Sequence, residues 1–195
     1  MIQDIIHKLH LELPAAVKLV AVSKFHPFES IEEAYEAGQR IFAESRPQEL
    51  QAKVRQLQEQ RPDMGGVEWH FIGHLQTNKL KMVLPYVALV QSVDSVRLLD
   101  AIESWARAND RVINVLLEPH VAAEQTKQGF SEDEIYSILQ SAVNGEYKHV
   151  RFCGIMGMAT FTDVVEIVRS DFAALRSIFD NCCLRFPEIT SEFKE

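Results

Sequence analysis

Lys24 closes the apolar run KLVAVSK, residues 18–24, with Pro27 three residues further on. A lysine at that place does unusual chemistry if the run is a strand. Val20, Val22 and Lys24 then share one face, and Leu19, Ala21 and Ser23 the other. Partial burial disfavours the ammonium form, and a neutral amine can attack an aldehyde to form a Schiff base. The plain alternative is a lysine that snorkels from the strand end into solvent. Other reactive side chains have weaker patterns. His70 and His74 are four apart, but His70 lies in a predicted strand and the H-E-x-x-H pattern of a zinc helix is missing, so no metal site is expected. Cys153, Cys182 and Cys183 form no C-x-x-C pair; an odd number of cysteines without such spacing reads as free thiols in a reducing compartment. Met156 and Met158 alternate with small residues in GIMGMA, as strand residues packed into a core would.

These side chains need a scaffold, and the chain shows one rhythm repeated. Short β-branched runs alternate with helical stretches. KLVAVS precedes SIEEAYEAG, IFAES precedes PQELQAKVRQLQEQ, and VEWHFIG precedes QTNKLKMVL. VALVQSV, VINVLLE and VRFCGIMGMA are each followed by a helical segment in the same way. Six βα units of this size predict an α/β fold with a parallel sheet. A dinucleotide-binding sheet should carry G-x-G-x-x-G after its first strand, and VSKFHPFES stands there instead. The better expectation is a single TIM-type (β/α)8 barrel domain over residues 1–195, with Lys24 at the C-terminal mouth where barrel enzymes carry their chemistry. Only six of the eight units are visible, so the last βα units are expected to be missing from this chain.

Local signals refine the picture. Ile2, Ile5, Ile6, Leu9 and Leu13 recur at helical spacing and predict an amphipathic N-terminal helix ending near Pro14. Ser30 is expected to cap a helix starting at Ile31, with Glu33 at the box position and Gly38 as the stop. Ser131 before EDE places acidic side chains on a positive helix end. Pro119 should end or bulge the fifth strand. QELQAKVRQLQEQR reads as a solvated helix with Leu50, Val54 and Leu57 inward.

Composition excludes some roles. A formal charge of -8 argues against nucleic acid as the main partner, since phosphate binding needs excess Lys and Arg. No apolar run approaches the roughly 18 residues of a membrane span, and the acidic N-terminus is no secretory signal. A cytoplasmic protein without membrane contact is expected.

Six phrases in fixed order carry a resemblance: AVSKFHP, FAESRPQEL, WHFIGHLQTNK, QSVDS, EQTKQG and GIMGMA. The sequence resembles the pyridoxal 5'-phosphate (PLP) homeostasis family, PLP-binding barrels similar to the alanine racemase N-terminal domain. The likeness covers roughly residues 5–194 and is most specific at Trp69, His70, Phe71, Ile72, Gly73, Leu75, Gln76, Asn78 and Lys79. It implies that Lys24, the lysine of the AVSK motif, forms the internal aldimine with PLP. It also implies cofactor contacts from Ser45, His70 and Met156. The family's F-G-E-N motif reads Phe42, Ala43, Glu44 and Ser45 here, so a hydroxyl replaces an amide beside the cofactor. The family's later S-M-G-M-S and G-S-T-x-V-R-x-G segments, which hold the PLP phosphate, have no match in FPEITSEFKE, and a truncated or partly observed chain is expected.

The resemblance implies a monomeric carrier or buffer in intracellular PLP homeostasis, without robust turnover and with no catalytic residue assigned, releasing PLP to apo PLP-dependent enzymes. Two alternatives stand beside it. One is a PLP-dependent racemase or lyase of fold type III. A racemase needs a second base, supplied in that class by a second domain. The other is a class I aldolase-like barrel using Lys24 toward a carbonyl substrate.

Overall fold

The computed structural model describes residues 1–122, 129–191 and 193. These form two compact units, one of residues 1–73 and 81–88, the other of residues 74–80 and 89–195.

The first unit opens with α1 (Ile2–Glu12). Ile6 is its buried residue and Ile5 is 55% exposed, so the apolar stripe runs through Ile2, Ile6 and Leu9 and leaves Ile5 outside. Then follow β1 (Ala21–Val22), α2 (Phe28–Glu36), β2 (Ile41–Glu44), α3 (Pro47–Gln60) and β3 (Glu68–Phe71). The three strands are parallel and adjacent, in the register Val22↔Ala43 and Ala43↔His70. Alternation sends Phe42, Glu44, Trp69 and Phe71 to one face and Ala43 and His70 to the other. Phe42, Leu50, Phe71, Ile31 and Phe28 are buried, and each such side chain is worth about 1.5–3 kcal/mol in removed apolar surface.

Two expectations fail here for a tertiary reason. Helix α2 starts at Phe28 with Pro27 as its N-cap, so Ser30 sits inside the helix and caps nothing. The Glu33 Oε1 instead accepts from the N–H groups of Ile2 (2.9 Å) and Gln3 (3.4 Å) and from the terminal amine of Met1 (3.2 Å). It serves the orphan donors of α1 from a distant helix, which holds its carboxyl below the usual range. Gly38 does follow the helix end, at φ +94°.

The second unit holds β4 (Leu89–Val93), α5 (Val96–Ala108), β5 (Ile113–Leu117), α6 (Glu132–Val143), β6 (Val150–Ile155), α7 (Val165–Arg185) and α8 (Pro187–Thr190), the chain having passed through the short helix α4 (Leu80–Val83). β4, β5 and β6 are parallel and adjacent. Val90, Val93, Val115, Leu117 and Phe152 are buried in these strands, as parallel strands covered on both faces require, and Leu99, Ile102, Ile135 and Leu139 are buried from α5 and α6. Ser131 and Glu134 form the capping box of α6. β5 stops at Leu117, and Pro119 makes only an isolated bridge to Phe130. Six parallel strands alternate with helices in chain order, and six, not eight, are present among the described residues. No helix among them is long and apolar enough to cross a membrane.

Candidate functional site

Lys24 lies two residues past the end of β1, in a tight turn closed by the His26 N–H on the Ser23 carbonyl (3.0 Å). Phe25, at the third position of that turn, has φ +64°. Turns of this shape usually place glycine or asparagine there, and a bulky L-residue in the left-handed region costs roughly 1–2 kcal/mol. The conformation is held from outside the turn. The Phe25 N–H donates to Glu49 Oε2 (3.0 Å), and the Arg46 guanidinium lies 4.5 Å from the Phe25 ring centre.

The residue on the other side of Lys24 is anchored more deeply. Ser23 is buried; its N–H donates to the Ala43 carbonyl (3.0 Å) and its hydroxyl to Glu44 Oε1 (2.7 Å). Lys53, from α3, donates to the Ser23 carbonyl (2.6 Å) and to Glu44 Oε1 (2.5 Å). Lys53 and Glu44 are both buried, so the inward stripe of α3 expected from Leu50, Val54 and Leu57 also takes in a charged residue. The signal was present: Leu50, Lys53, Val54 and Leu57 fall at the spacing of one helical stripe, and only the charge of Lys53 hid it. Glu44 Oε2 is buried with no hydrogen-bond partner among the described residues, while Oε1 accepts from Ser23 and Lys53, contacts that offset the desolvation of the carboxylate.

Ser45 follows β2 as Lys24 follows β1, and His70 is buried in β3 beside Ala43. Parallel register therefore brings Lys24, Ser45 and His70 to the C-terminal edge of β1, β2 and β3. Lys24 is half-buried, while Val22, on the face expected to share its direction, is 48% exposed. Lys24 forms no ion pair among the described residues. Gly73 closes this edge. A Cβ there would come within 2.1 Å of the Ser45 carbonyl oxygen, so no other residue permits the approach of the two loops.

Met156 lies in the second unit, just past β6, where its N–H donates to the Leu117 carbonyl (2.9 Å). Met156 is half-buried and Met158 is 52% exposed. Neither is a core strand residue as alternation suggested, because β6 ends at Ile155. Residues 124–128 of the EQTKQG phrase lie outside the described residues.

The second unit also gathers a polar cluster that the sequence reading missed. His74 Nδ1 is 2.9 Å from Asp94 Oδ2, and the Ser95 hydroxyl donates to Asp94 Oδ1 (3.0 Å). Burial, with a smaller effect from Asp94, pushes the Glu118 carboxyl up to about 7 against the opposing influence of His74. His74, Gln76, Thr77, Asn78, Asp94 and Arg97 line a cleft of about 790 Å³. Asp94 and Glu118 each directly follow an apolar run, the same signal that singled out Lys24. The three cysteines are free; Cys182 is buried in α7, and burial pushes its thiol up to about 12.

The chain was compared with known proteins. Residues 3–191 match the alanine racemase N-terminal domain family. The pyridoxal phosphate homeostasis protein of Aquifex aeolicus is 35% identical over 163 residues, covering 84% of this chain and 68% of the relative. The human pyridoxal phosphate homeostasis protein is 33% identical over 191 residues, covering 93% and 68%. The chain thus spans about two thirds of the length of these relatives. Among solved structures, PipY of Synechococcus elongatus is 28% identical, with a TM-score of 0.89 without PLP and 0.86 with PLP bound, each covering 99% of this chain and 86% of PipY. The fold is the TIM-barrel-like fold of the alanine racemase N-terminal domain. By its matched length, its relatives and its fold, the chain belongs to the alanine racemase N-terminal domain family, among the pyridoxal phosphate homeostasis proteins.

Proposed function

We propose that this chain binds PLP through the Lys24 amine and acts in intracellular PLP homeostasis as a carrier or buffer, without robust turnover. The observation that carries the reading is Lys24 itself: a half-buried amine with no ion pair among the described residues, at the C-terminal edge of three parallel strands. With no carboxylate among the described residues holding it, the amine is free to reach a cofactor carbonyl. The first unit's strand edge offers the Ser45 hydroxyl and the His70 imidazole as polar contacts for the cofactor. PLP, when bound, supplies an electron-withdrawing ring that stabilises negative charge on a bound amine's α-carbon. The protein's own part is to hold the amine, limit its rotation and keep the aldehyde from other nucleophiles. The experience of relatives fits: the Aquifex and human proteins carry PLP homeostasis in their names, and PipY has been solved with PLP bound.

The test is spectroscopic. The protein and Lys24→Ala are mixed with PLP, dialysed and scanned, then reduced with borohydride and mapped by peptide mass. The expected result is a band near about 420 nm, the range of lysine-bound PLP, present in the parent, absent in the variant and mapped to Lys24. A band that survives in Lys24→Ala, or a label on another lysine, overturns the assignment.

A further inference from the structure

We propose that helix α3 is the positioning element for the Lys24 amine, with Lys53 and Glu49 as positioning residues that grip the chain one residue before and one residue after it. The inference rests on the reading of Lys24 as the cofactor-bearing amine. On one side, Lys53 Nζ donates to the Ser23 carbonyl (2.6 Å), and Glu44, which accepts from both Lys53 and the Ser23 hydroxyl, fixes that contact from β2. On the other, Glu49 Oε2 accepts the Phe25 N–H (3.0 Å), while Glu49 Oε1 receives the Arg46 guanidinium (3.3 Å) that covers the Phe25 ring. Glu49 and Lys53 are four residues apart, so one face of α3 reaches both flanks of Lys24.

The left-handed Phe25 is the sign that this grip has a purpose. A bulky residue holds φ +64° only when its surroundings over-determine the conformation, and such outliers concentrate where a side chain must be aimed. Without the Glu49 carboxylate the Phe25 amide loses its acceptor, and the turn can relax toward the conformations that phenylalanine prefers. Lys24, between the two anchors, would then sweep a wider arc. Pre-organising an attached group raises affinity by removing an ordering cost at the moment of binding. The grip therefore acts on the uptake of PLP more than on the stability of the whole protein, because Glu49 is a partly exposed residue on the rim of the unit.

The experiment compares the parent, Glu49→Ala and Glu49→Gln, the last keeping a side-chain oxygen that can accept the amide. PLP uptake is read from the visible band at equilibrium, and hydrogen exchange of the Phe25 amide is followed under the same native conditions. Glu49→Ala should bind PLP about tenfold more weakly, the scale of one lost hydrogen bond to a charged acceptor. Its Phe25 amide should exchange faster while the β2 and β3 amides keep their protection. Glu49→Gln should restore both. A purely structural role would lower the urea midpoint and leave uptake by the folded protein unchanged. If the parent is labelled on Lys24 and Glu49→Ala takes up PLP equally well, the positioning role is overturned alone. If the parent is not labelled on Lys24, the underlying reading of the site falls, and this inference with it.

Discussion

Replacing Gly73 with alanine tests how the edge of the first unit is closed. The added Cβ would lie 2.1 Å from the Ser45 carbonyl oxygen, 2.7 Å from its Cα and 2.8 Å from its carbonyl carbon, all backbone atoms, where ordinary contact begins at 3.4 Å. No side chain can swing aside, so the loops after β2 and β3 must part by about 1.3 Å, the gap between these two distances. The adjacent hydrogen bond from the Ile72 N–H to the Glu44 carbonyl is 2.9 Å long, and a shift of that size takes it out of hydrogen-bonding range. Overpacking of this kind costs about 1–3 kcal/mol, and the lost bond about 0.5–1.5 kcal/mol. Alanine restricts the unfolded chain, which offsets about 0.4–1 kcal/mol. The net loss spans about 0.5–4 kcal/mol with a centre near 2, which at that centre lowers the melting point by about 4–8 °C for a chain of this size. Urea unfolding at constant slope measures it, and the PLP band reports whether Ser45 and Lys24 have moved. A Gly73→Ala protein within about 0.5 kcal/mol of the parent, the range of an inert surface change, would refute the close approach.

Two further outcomes are expected. Burial, then Asp94, raises the Glu118 carboxyl to about 7 from an unfolded 4.5. The folded state therefore holds that proton more tightly, and the contribution is complete below pH 4.5 and lost as pH rises through about 7. Glu118→Gln cannot ionise, so its urea midpoint should match the parent's below pH 4.5, exceed it by a margin that grows between pH 4.5 and about 7, and keep a constant lead above that; a difference that does not change across this window contradicts the burial argument. For the thiols, Cys182 is fully buried and pushed up to about 12, with Cys183 and Cys153 partly exposed. Iodoacetamide on the native protein should label Cys153 and Cys183 well before Cys182, since the thiolate is the nucleophile. Peptide mass mapping checks the order, and early labelling of Cys182 would show that α7 opens.

What the sequence by itself determined was whatever local periodicity and turn chemistry encode. The order of six strands and their helices was legible because a strand's β-branched run and a helix's apolar stripe are each written within a dozen residues. The stop of β5 before Pro119 and the acidic first turn after Ser131 were legible for the same reason: a missing N–H or carboxylates at a helix start is a local fact. Lys24 stood out because a charge at the end of an apolar run is improbable without a use. Tertiary structure decided the rest. Glu33 went to α1, some 30 residues away in sequence, instead of to its own helix, because α2 begins at Phe28 and leaves Glu33 past its first turn, while the first amides of α1 lie within reach. Lys53 went inside because Glu44, in β2, and the Ser23 carbonyl, just past β1, together offset its desolvation. Phe25 took a left-handed conformation that no propensity predicts, because a carboxylate 24 residues onward accepts its amide. A single chain states each residue's preferences; which partners arrive to satisfy or override them is settled only when strands and helices pack, since a buried charge or a strained turn is stable only in the company of groups distant in sequence.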